Sequence, residues 1–448
     1  MPYPRVQPKI NYMSGQFKIE CQEHGRLLQH QITALHRLYE WFGGENIRND
    51  IALVCMPTGS GKTGIIACLP YCLGCIYEVD GQPRYPFDKP ILVVAPDLAI
   101  QNQLVEELTL LTPKTPFLKR RNIVPDDRND VLPTAMKIEN KDDLSDQQNL
   151  RNKELIITNA QKFVGEDWMN DFDSNLFRLL IVDEAHHYPA ATWKRIVDKF
   201  RSTECPVVFF TATPFRTDGQ LVLGEQNGTG IAYHLKLNDA VNGRIIRESS
   251  FHEIDAEGEP RFRNPEAYTD AEKSRARKTV AILDKVKELL DDKRRNFRDA
   301  PHMAIAICNN VKQAQLLLEL WQSSYPNESA DCYHSKMQRQ RQEDVMSRLK
   351  DNQLSLVIVA RKLLEGFDHP PISIAAITYK ITSPARFVQF VGRAQRILRR
   401  EGYIESEELL ADIVTHKDYK QQRNFDNFKT EKLIAEVRGD EDDDDNDA

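Results

Sequence analysis

Short apolar runs separated by amphipathic or polar stretches set the rhythm of this chain. Ile51–Cys55, Ile91–Ala95, Leu155–Thr158, Leu179–Val182 and Val207–Phe210 are rich in β-branched and aromatic residues, the pattern of strands buried on both faces. Met303–Ile307, Ser355–Val359 and Ser373–Thr378 form a second group of the same kind. Helical patterns between the runs predict parallel sheets joined by crossover helices, an α/β chain in which each sheet is flanked by helices. The groups are separated by a polar stretch, Thr217 to Thr269, which carries Gly219, Gly224, Gly228, Gly230, Gly243 and Gly258. It reads as a link between lobes, with some structure of its own. A helix follows over Ala271–Leu290, where Val280, Leu283, Val286, Leu289 and Leu290 share one apolar face.

Length agrees with this division, since 448 residues exceed one ordinary core and suit two lobes. Two insertions interrupt the rhythm: Tyr77–Pro90, with turn residues, and Thr112–Asn152, which is polar and holds Lys119-Arg120-Arg121 and Lys141-Asp142-Asp143. A solvated surface is the plain reading of the second, a contact surface for substrate or partner the other.

The formal net charge of -7 comes from one place. Asp440, Glu441, Asp442, Asp443, Asp444, Asp445 and Asp447 lie together near the end, and without these seven charges the balance is zero. Such a tail is expected to be disordered, solubilising or partner-binding. A neutral body argues against binding nucleic acid by bulk charge, but leaves room for a local groove that tracks a backbone. No run of eighteen apolar residues suggests a membrane span, and Met1–Phe17 resembles neither a secretory signal nor a transit peptide. Eight cysteines without regular spacing point to a reducing, intracellular setting. Nuclear and cytoplasmic locations are not distinguished.

Two motifs carry the chemistry. Met56-Pro57-Thr58-Gly59-Ser60-Gly61-Lys62-Thr63 lies between a predicted strand and a predicted helix. Glycines there let backbone N–H groups face phosphates, and the helix adds its positive end. Lys62 is placed to reach the β- and γ-phosphates of ATP, and the Thr63 hydroxyl to ligate Mg2+. Asp183-Glu184-Ala185-His186-His187 closes the run Leu179–Val182. A carboxylate at a buried strand end is costly unless paired, so Asp183 reads as the second magnesium ligand and Glu184 as the group that orients the attacking water.

With these motifs in order, the chain resembles superfamily 2 helicases over most of residues 25–400. The resemblance implies two tandem RecA-like lobes, each a mainly parallel sheet flanked by helices. Met56, where a glycine is usual, is a departure common in that superfamily. Leu28-Gln29-His30-Gln31 resembles the adenine-recognising element, with Gln31 as base reader. Ala95-Pro96-Asp97-Leu98-Ala99-Ile100-Gln101-Asn102-Gln103 resembles motif Ia, and Thr158-Asn159-Ala160-Gln161 the next strand-binding motif. Pro96 and Thr158 are accordingly candidate nucleic-acid contacts. Thr211-Ala212-Thr213-Pro214 looks like motif III, which implies that Thr211 and Thr213, with His186, couple the ATP site to nucleic acid. Its extension Phe215-Arg216-Thr217-Asp218-Gly219 and the His-His ending of motif II are similar to those of type I and type III restriction-enzyme motor subunits and XPB-like DNA helicases.

In the second half, Tyr333-His334-Ser335 resembles a further strand-end contact through His334. Leu364-Glu365-Gly366-Phe367-Asp368 resembles motif V, with Gly366 at a tight turn and Asp368 coupling the lobes. Ala360 and Arg361 depart from the usual residues before it. Gln389-Phe390-Val391-Gly392-Arg393-Ala394-Gln395-Arg396 looks like motif VI. The resemblance implies that Arg393 and Arg396 act as fingers on the γ-phosphate, with Gln389 near the nucleotide and the attacking water. Spaced three apart at an expected helix start, the arginines should share one face.

Other clusters carry less. Cys68, Cys72 and Cys75 lie at helical spacing without a fourth thiolate, which suits core packing better than an iron–sulfur cluster. His24, His30 and His36 lack metal-ligand spacing, and no nuclease constellation is expected after residue 400. The expected organisation is an extension over 1–24, an ATP-binding lobe over 25–218, a linker region over 219–270, a second lobe over 271–420 and a C-terminal segment over 421–448. The expected activity is ATP hydrolysis coupled to movement along nucleic acid or strand separation. DNA is favoured over RNA by the restriction-motor signatures, and a protein partner could supply specificity. An RNA-dependent ATPase, or a nucleotide-controlled module that recruits a partner such as a nuclease, are the alternatives.

Overall fold

The computed structural model describes residues 26–43, 51–73, 77–79, 82–84, 89–127, 129–164, 172–187, 190–201, 205–213, 222, 230–298, 300–360, 369–397, 409–429 and 431. Its strands in chain order are β1 (Ala52–Cys55), β2 (Tyr77–Val79), β3 (Gln82–Arg84), β4 (Ile91–Ala95), β5 (Ala135–Lys137), β6 (Leu155–Asn159), β7 (Leu179–Val182) and β8 (Val207–Thr211). They continue with β9 (Ile231–His234), β10 (Glu248–Ile254), β11 (Met303–Cys308), β12 (Ala330–Tyr333), β13 (Leu356–Ala360), β14 (Ile372–Ile377) and β15 (Leu410–His416). Every apolar run expected to be a strand is one.

The chain forms two compact units, the first of Met1–Met56 and Gly61–Leu235, the second of Lys236–Ala448 together with the short segment Pro57–Ser60. The first is built on a seven-stranded sheet in the order β5-β6-β4-β7-β8-β1-β9, and all its pairings are parallel. Residues of β1, β4, β6, β7 and β8 are buried throughout, as expected for strands covered on both faces. Beneath them, Leu92, Ile156, Leu180 and Phe209 pack with Phe163, Phe172, Phe177 and Phe200. The polar insertion contributes the edge strand β5, and Tyr77–Arg84 contains the antiparallel pair β2–β3.

The second unit holds a six-stranded, wholly parallel sheet in the order β10-β15-β14-β11-β13-β12. Its long helix runs Asp270–Asn296, starting one residue before the expected span and extending beyond it. Thr269 and Glu272 form a capping box that satisfies the orphan N–H groups at its start. Val280, Leu283, Val286 and Leu290 are buried in the core with Trp321, Leu317, Ile358 and Ile374. The stretch expected to link the lobes supplies a strand to each sheet, β9 to the first and β10 to the second. Both units are thus parallel sheets flanked by helices, the arrangement of tandem RecA-like lobes. Among the described residues, no helix is long and apolar enough to cross a membrane.

Candidate nucleotide site and nucleic-acid contacts

The strand β1 runs into the loop of residues 56–61 and then into the helix Lys62–Leu73. Gly59 and Gly61 have φ of +83° and +92°, a region that L side chains avoid, so the glycines here are a requirement of the turn. The Ser60 hydroxyl donates to the Pro57 carbonyl at 2.7 Å and closes the loop on itself. Gln31 braces it from outside, its Nε2 donating to the Gly61 carbonyl at 2.8 Å while its Oε1 accepts from the Leu28 backbone at 2.8 Å. The residue expected to read the base is therefore joined to the phosphate loop. Lys62 Nζ lies 3.4 Å from the Met56 carbonyl and 3.8 Å from Glu184 Oε1.

Those acidic residues follow β7, which lies between β4 and β8 in the sheet. The Asp183 backbone N–H donates to the Val94 carbonyl at 3.0 Å, which extends the ladder to the strand's last position. Its side chain is buried and accepts from the Glu184 N–H at 2.9 Å. Burial and the adjacent Glu184 charge push its pKa up to about 7, against the opposing pull of Lys62 and of that N–H. Glu184 sits at φ +48°, uncommon for a non-glycine residue.

Glu184 Oε2 lies 3.3 Å from His186 Nδ1, and the same nitrogen is 3.1 Å from Thr211 Oγ1. Thr211 donates its hydroxyl proton to the Thr213 carbonyl at 2.6 Å and accepts from the Thr213 N–H at 3.2 Å. With that proton committed, His186 Nδ1 must carry the hydrogen that faces Thr211. A continuous line of contacts thus runs from Lys62 through Glu184 and His186 to Thr211 and Thr213. The side chain of His187 and residues 214–219 lie outside the described residues.

The strand-end contacts are less directly joined to it. Pro96 follows β4, and Asp97 caps the next helix through Ile100 N–H at 2.9 Å. Thr158 is fully buried in β6, and its hydroxyl has no hydrogen-bond partner. Gln101, also fully buried, donates to the Ile138 and Ile157 carbonyls at 2.9 and 3.0 Å and accepts from Asn159 at 2.6 Å. It ties two of the motifs together. Reading the motif as a string did not reveal that tie, because a glutamine on a helix ordinarily faces water.

In the second unit, Gln389 is buried on the helix Pro384–Val391. That helix stops at Gly392. Arg393 and Arg396 therefore follow a helix end, where a helix start had been expected. Arg393 lies in the turn, and Arg396 forms an isolated antiparallel bridge with Ile246. Once the carbonyls at a helix end lack intrahelical partners, neighbouring chain takes over their positioning, so helical spacing does not govern these two side chains. His334 follows β12 and is largely buried, its Nδ1 without a partner. Burial, then Lys336, lower its pKa. Gly366 and Asp368 lie outside the described residues, as do Cys75 and the acidic tail. Cys68 and Cys72 are buried thiols on the helix Lys62–Leu73.

Known proteins match this chain in two blocks. The family of the type III restriction enzyme res subunit matches residues 24–216, and the helicase conserved C-terminal domain matches residues 282–398. A Saccharomyces cerevisiae protein, IRC3, to which an ATP-dependent helicase activity is ascribed, is 22% identical over 254 residues, covering 55% of this chain and 36% of its own. The DNA 3'-5' translocase XPB2 of Sulfurisphaera tokodaii is 22% identical over 293 residues, covering 56% of this chain and 62% of its own. The chain thus spans less than two thirds of either relative. In fold, it is similar to Saccharomyces cerevisiae Dbp5 bound to RNA and ADP BeF3, with a TM-score of 0.54 at 13% identity over 96% of this chain and 92% of that one. The chain thus carries a match to the restriction-enzyme res-subunit family followed by one to the helicase conserved C-terminal domain, a pairing consistent with superfamily 2 helicases related to restriction-enzyme motor subunits.

Proposed function

We propose that this helicase hydrolyses ATP and uses the energy to move along DNA or to separate its strands. The observation that carries the reading is the unbroken line from Lys62 through Glu184 and His186 to Thr211 and Thr213. It joins a group suited to the phosphates to the end of β8, and so gives a change in phosphate occupancy a path to the rest of the first unit. Thr58, Gly59, Ser60 and Gly61 offer the loop around the phosphates, and Gln31 reads the base. Lys62 stabilises charge on the β- and γ-phosphates, while Glu184 orients the water that attacks. Arg393 and Arg396 neutralise the charge that builds on the γ-phosphate, with Gln389 beside them and Gly366 and Asp368 completing the nucleotide set. His186, Thr211 and Thr213 couple hydrolysis to nucleic acid, which Pro96, Thr158 and His334 contact.

A divalent ion suits the pair Thr63 and Asp183. Both offer hard oxygen donors, and burial, then the neighbouring Glu184 charge, raise the pKa of the Asp183 carboxyl to about 7. Magnesium held there would offset the charge of the phosphates. DNA is preferred as substrate on the match to the restriction res-subunit family and the likeness to a DNA translocase.

The test is ATP turnover measured in parallel with double-stranded DNA, single-stranded DNA and RNA. We expect DNA to raise turnover about tenfold or more, and Lys62→Ala or Glu184→Gln to lower it by about a hundredfold or more. Stimulation by RNA alone would reassign the substrate. Turnover indifferent to any nucleic acid, or near normal in either variant, would remove the motor reading.

A further inference from the structure

We propose that Arg247 is a positioning residue for the turn that bears Arg393 and Arg396. The inference rests on the reading of those two arginines given above. Arg247 is 1% exposed, among the most deeply buried large side chains. Its Nη1 is shared by the carbonyls of Pro370, Ile372 and Ala394 at 3.0, 3.0 and 3.2 Å. Its backbone is engaged with the same turn. The Arg247 N–H donates to the Gln395 carbonyl at 2.6 Å, and the Arg247 carbonyl accepts from the buried Gln395 side chain at 3.3 Å. One residue earlier, Ile246 makes the bridge with Arg396.

The turn is also tied to its own helix. Arg393 N–H donates to Phe390 O at 3.1 Å and Ala394 N–H to Val391 O at 2.9 Å, contacts that hold the turn to its own helix but do not set its direction. Arg247 supplies the direction. The two N–H bonds of Nη1 are shared among the three carbonyls, and the rigid, permanently charged guanidinium plane fixes where that nitrogen lies. It also brings positive charge to a helix C-terminal end, where such charge is favoured. Two of its acceptors, Pro370 and Ile372, flank the start of β14 and closely follow the motif V residues in sequence. One side chain thereby refers both segments to the same point in the second unit. A merely structural arginine needs only to be satisfied; this one is satisfied by the carbonyl between the two proposed fingers.

The experiment uses the full chain and the variants Arg247→Lys, Arg247→Met, Arg396→Ala and the double variant Arg247→Met/Arg396→Ala. Turnover is read at saturating DNA and amide hydrogen exchange over residues 392–397, both well below the unfolding temperature. We expect Arg247→Met to lower kcat about tenfold to a hundredfold while KM for ATP stays within about threefold, since the phosphate loop is untouched. Arg247→Lys should fall between it and the parent. The double variant should turn over no more slowly than Arg396→Ala alone, because both changes remove the same contribution. Exchange over 392–397 should rise in both Arg247 variants. Multiplicative losses in the double variant, or exchange unchanged from the parent, would overturn the proposal. Full turnover in Arg396→Ala would instead refute the finger reading, and faster exchange in Arg247→Met would still uphold positioning.

Discussion

Two buried aspartates end up in opposite electrostatic states. Asp183 in the first unit and Asp412 in the second are 7% and 6% exposed, and both belong to fully parallel sheets or their ends. Burial alone raises the pKa of either. At Asp412 it is outweighed: His252 Nε2 stands 2.7 Å from one oxygen and Lys293 Nζ 3.0 Å from the other, and the pKa is lowered. At Asp183 burial and Glu184 prevail over Lys62, and the pKa rises to about 7. The fold can compensate a buried carboxylate and does so where the residue only ties β10, β15 and the helix Asp270–Asn296 together. At Asp183 it does not, the pattern expected of a candidate functional site.

Replacing Asp183 should therefore separate activity from stability. Asp183→Asn is expected to lower DNA-stimulated turnover by at least about a hundredfold. The same variant, without nucleotide or divalent ion, should be more stable than the parent at pH 8, by up to about 4 kcal/mol, since a neutral amide escapes the burial penalty. Urea unfolding and steady-state ATP turnover on one preparation test both halves. A loss of stability alongside the loss of turnover would place Asp183 with Asp412 as a structural residue.

Asp412→Asn should do the reverse. Lys293 is 6% exposed and also donates to the Leu410 carbonyl at 2.9 Å, so removing the negative partner strands a buried ammonium. We expect a cost of about 3 kcal/mol in urea unfolding, with turnover at 25 °C within about threefold of the parent. A loss below about 0.5 kcal/mol would mean that the pair does not hold the sheet to the helix.

Legibility in the sequence follows the same line between buried and half-buried positions. Central strands such as β4 and β7 announce themselves because every residue is apolar. The edge strand β5, Ala-Met-Lys with all three residues half-buried, and β10, Glu-Ser-Ser-Phe-His-Glu-Ile, do not, because an exposed face admits polar residues. β15 is buried from Ala411 onward, but Asp412, Thr415 and His416 interrupt its apolar pattern; partners distant in sequence satisfy Asp412 and Thr415, and Asp418 bonds to His416. At the site, Lys62 and Glu184 stand out in the sequence because phosphate chemistry restricts residue type and spacing, whereas Gln31, His186, Thr211 and Thr213 are picked out by the resemblance alone; the structure joins Gln31 to the loop at Gly61 and the others in one line of contacts. Arg247 does not stand out, since an arginine beside a polar stretch reads as surface until the carbonyls around it are seen. The turn at Gly392 is not legible for a related reason: helical spacing says nothing about where a helix stops.

Per pH unit the last expected effect is the smallest, and it is also the most diagnostic, because it concerns a slope. Below the unfolded aspartate value of about 3.9, Asp183 is protonated in both states and contributes nothing. Between about 4 and 7 the unfolded chain releases that proton while the folded chain, with its pKa near 7, retains it. The folded state then binds more protons, so its stability falls as pH rises, by at most about 1.4 kcal/mol per pH unit. Above 7 both states are ionised and the penalty is constant. Asp412, with a lowered pKa, gives the opposite sign: its contribution is in place above about pH 4 and is lost as pH falls through the folded value. Subtracting the Asp183→Asn stability curve from that of the parent, measured without ligand from pH 4 to 8, should leave a declining difference that levels off near 7. A flat difference across that window would mean that Asp183 is ionised at no cost, and the contrast between the two buried carboxylates would then lie in their geometry alone.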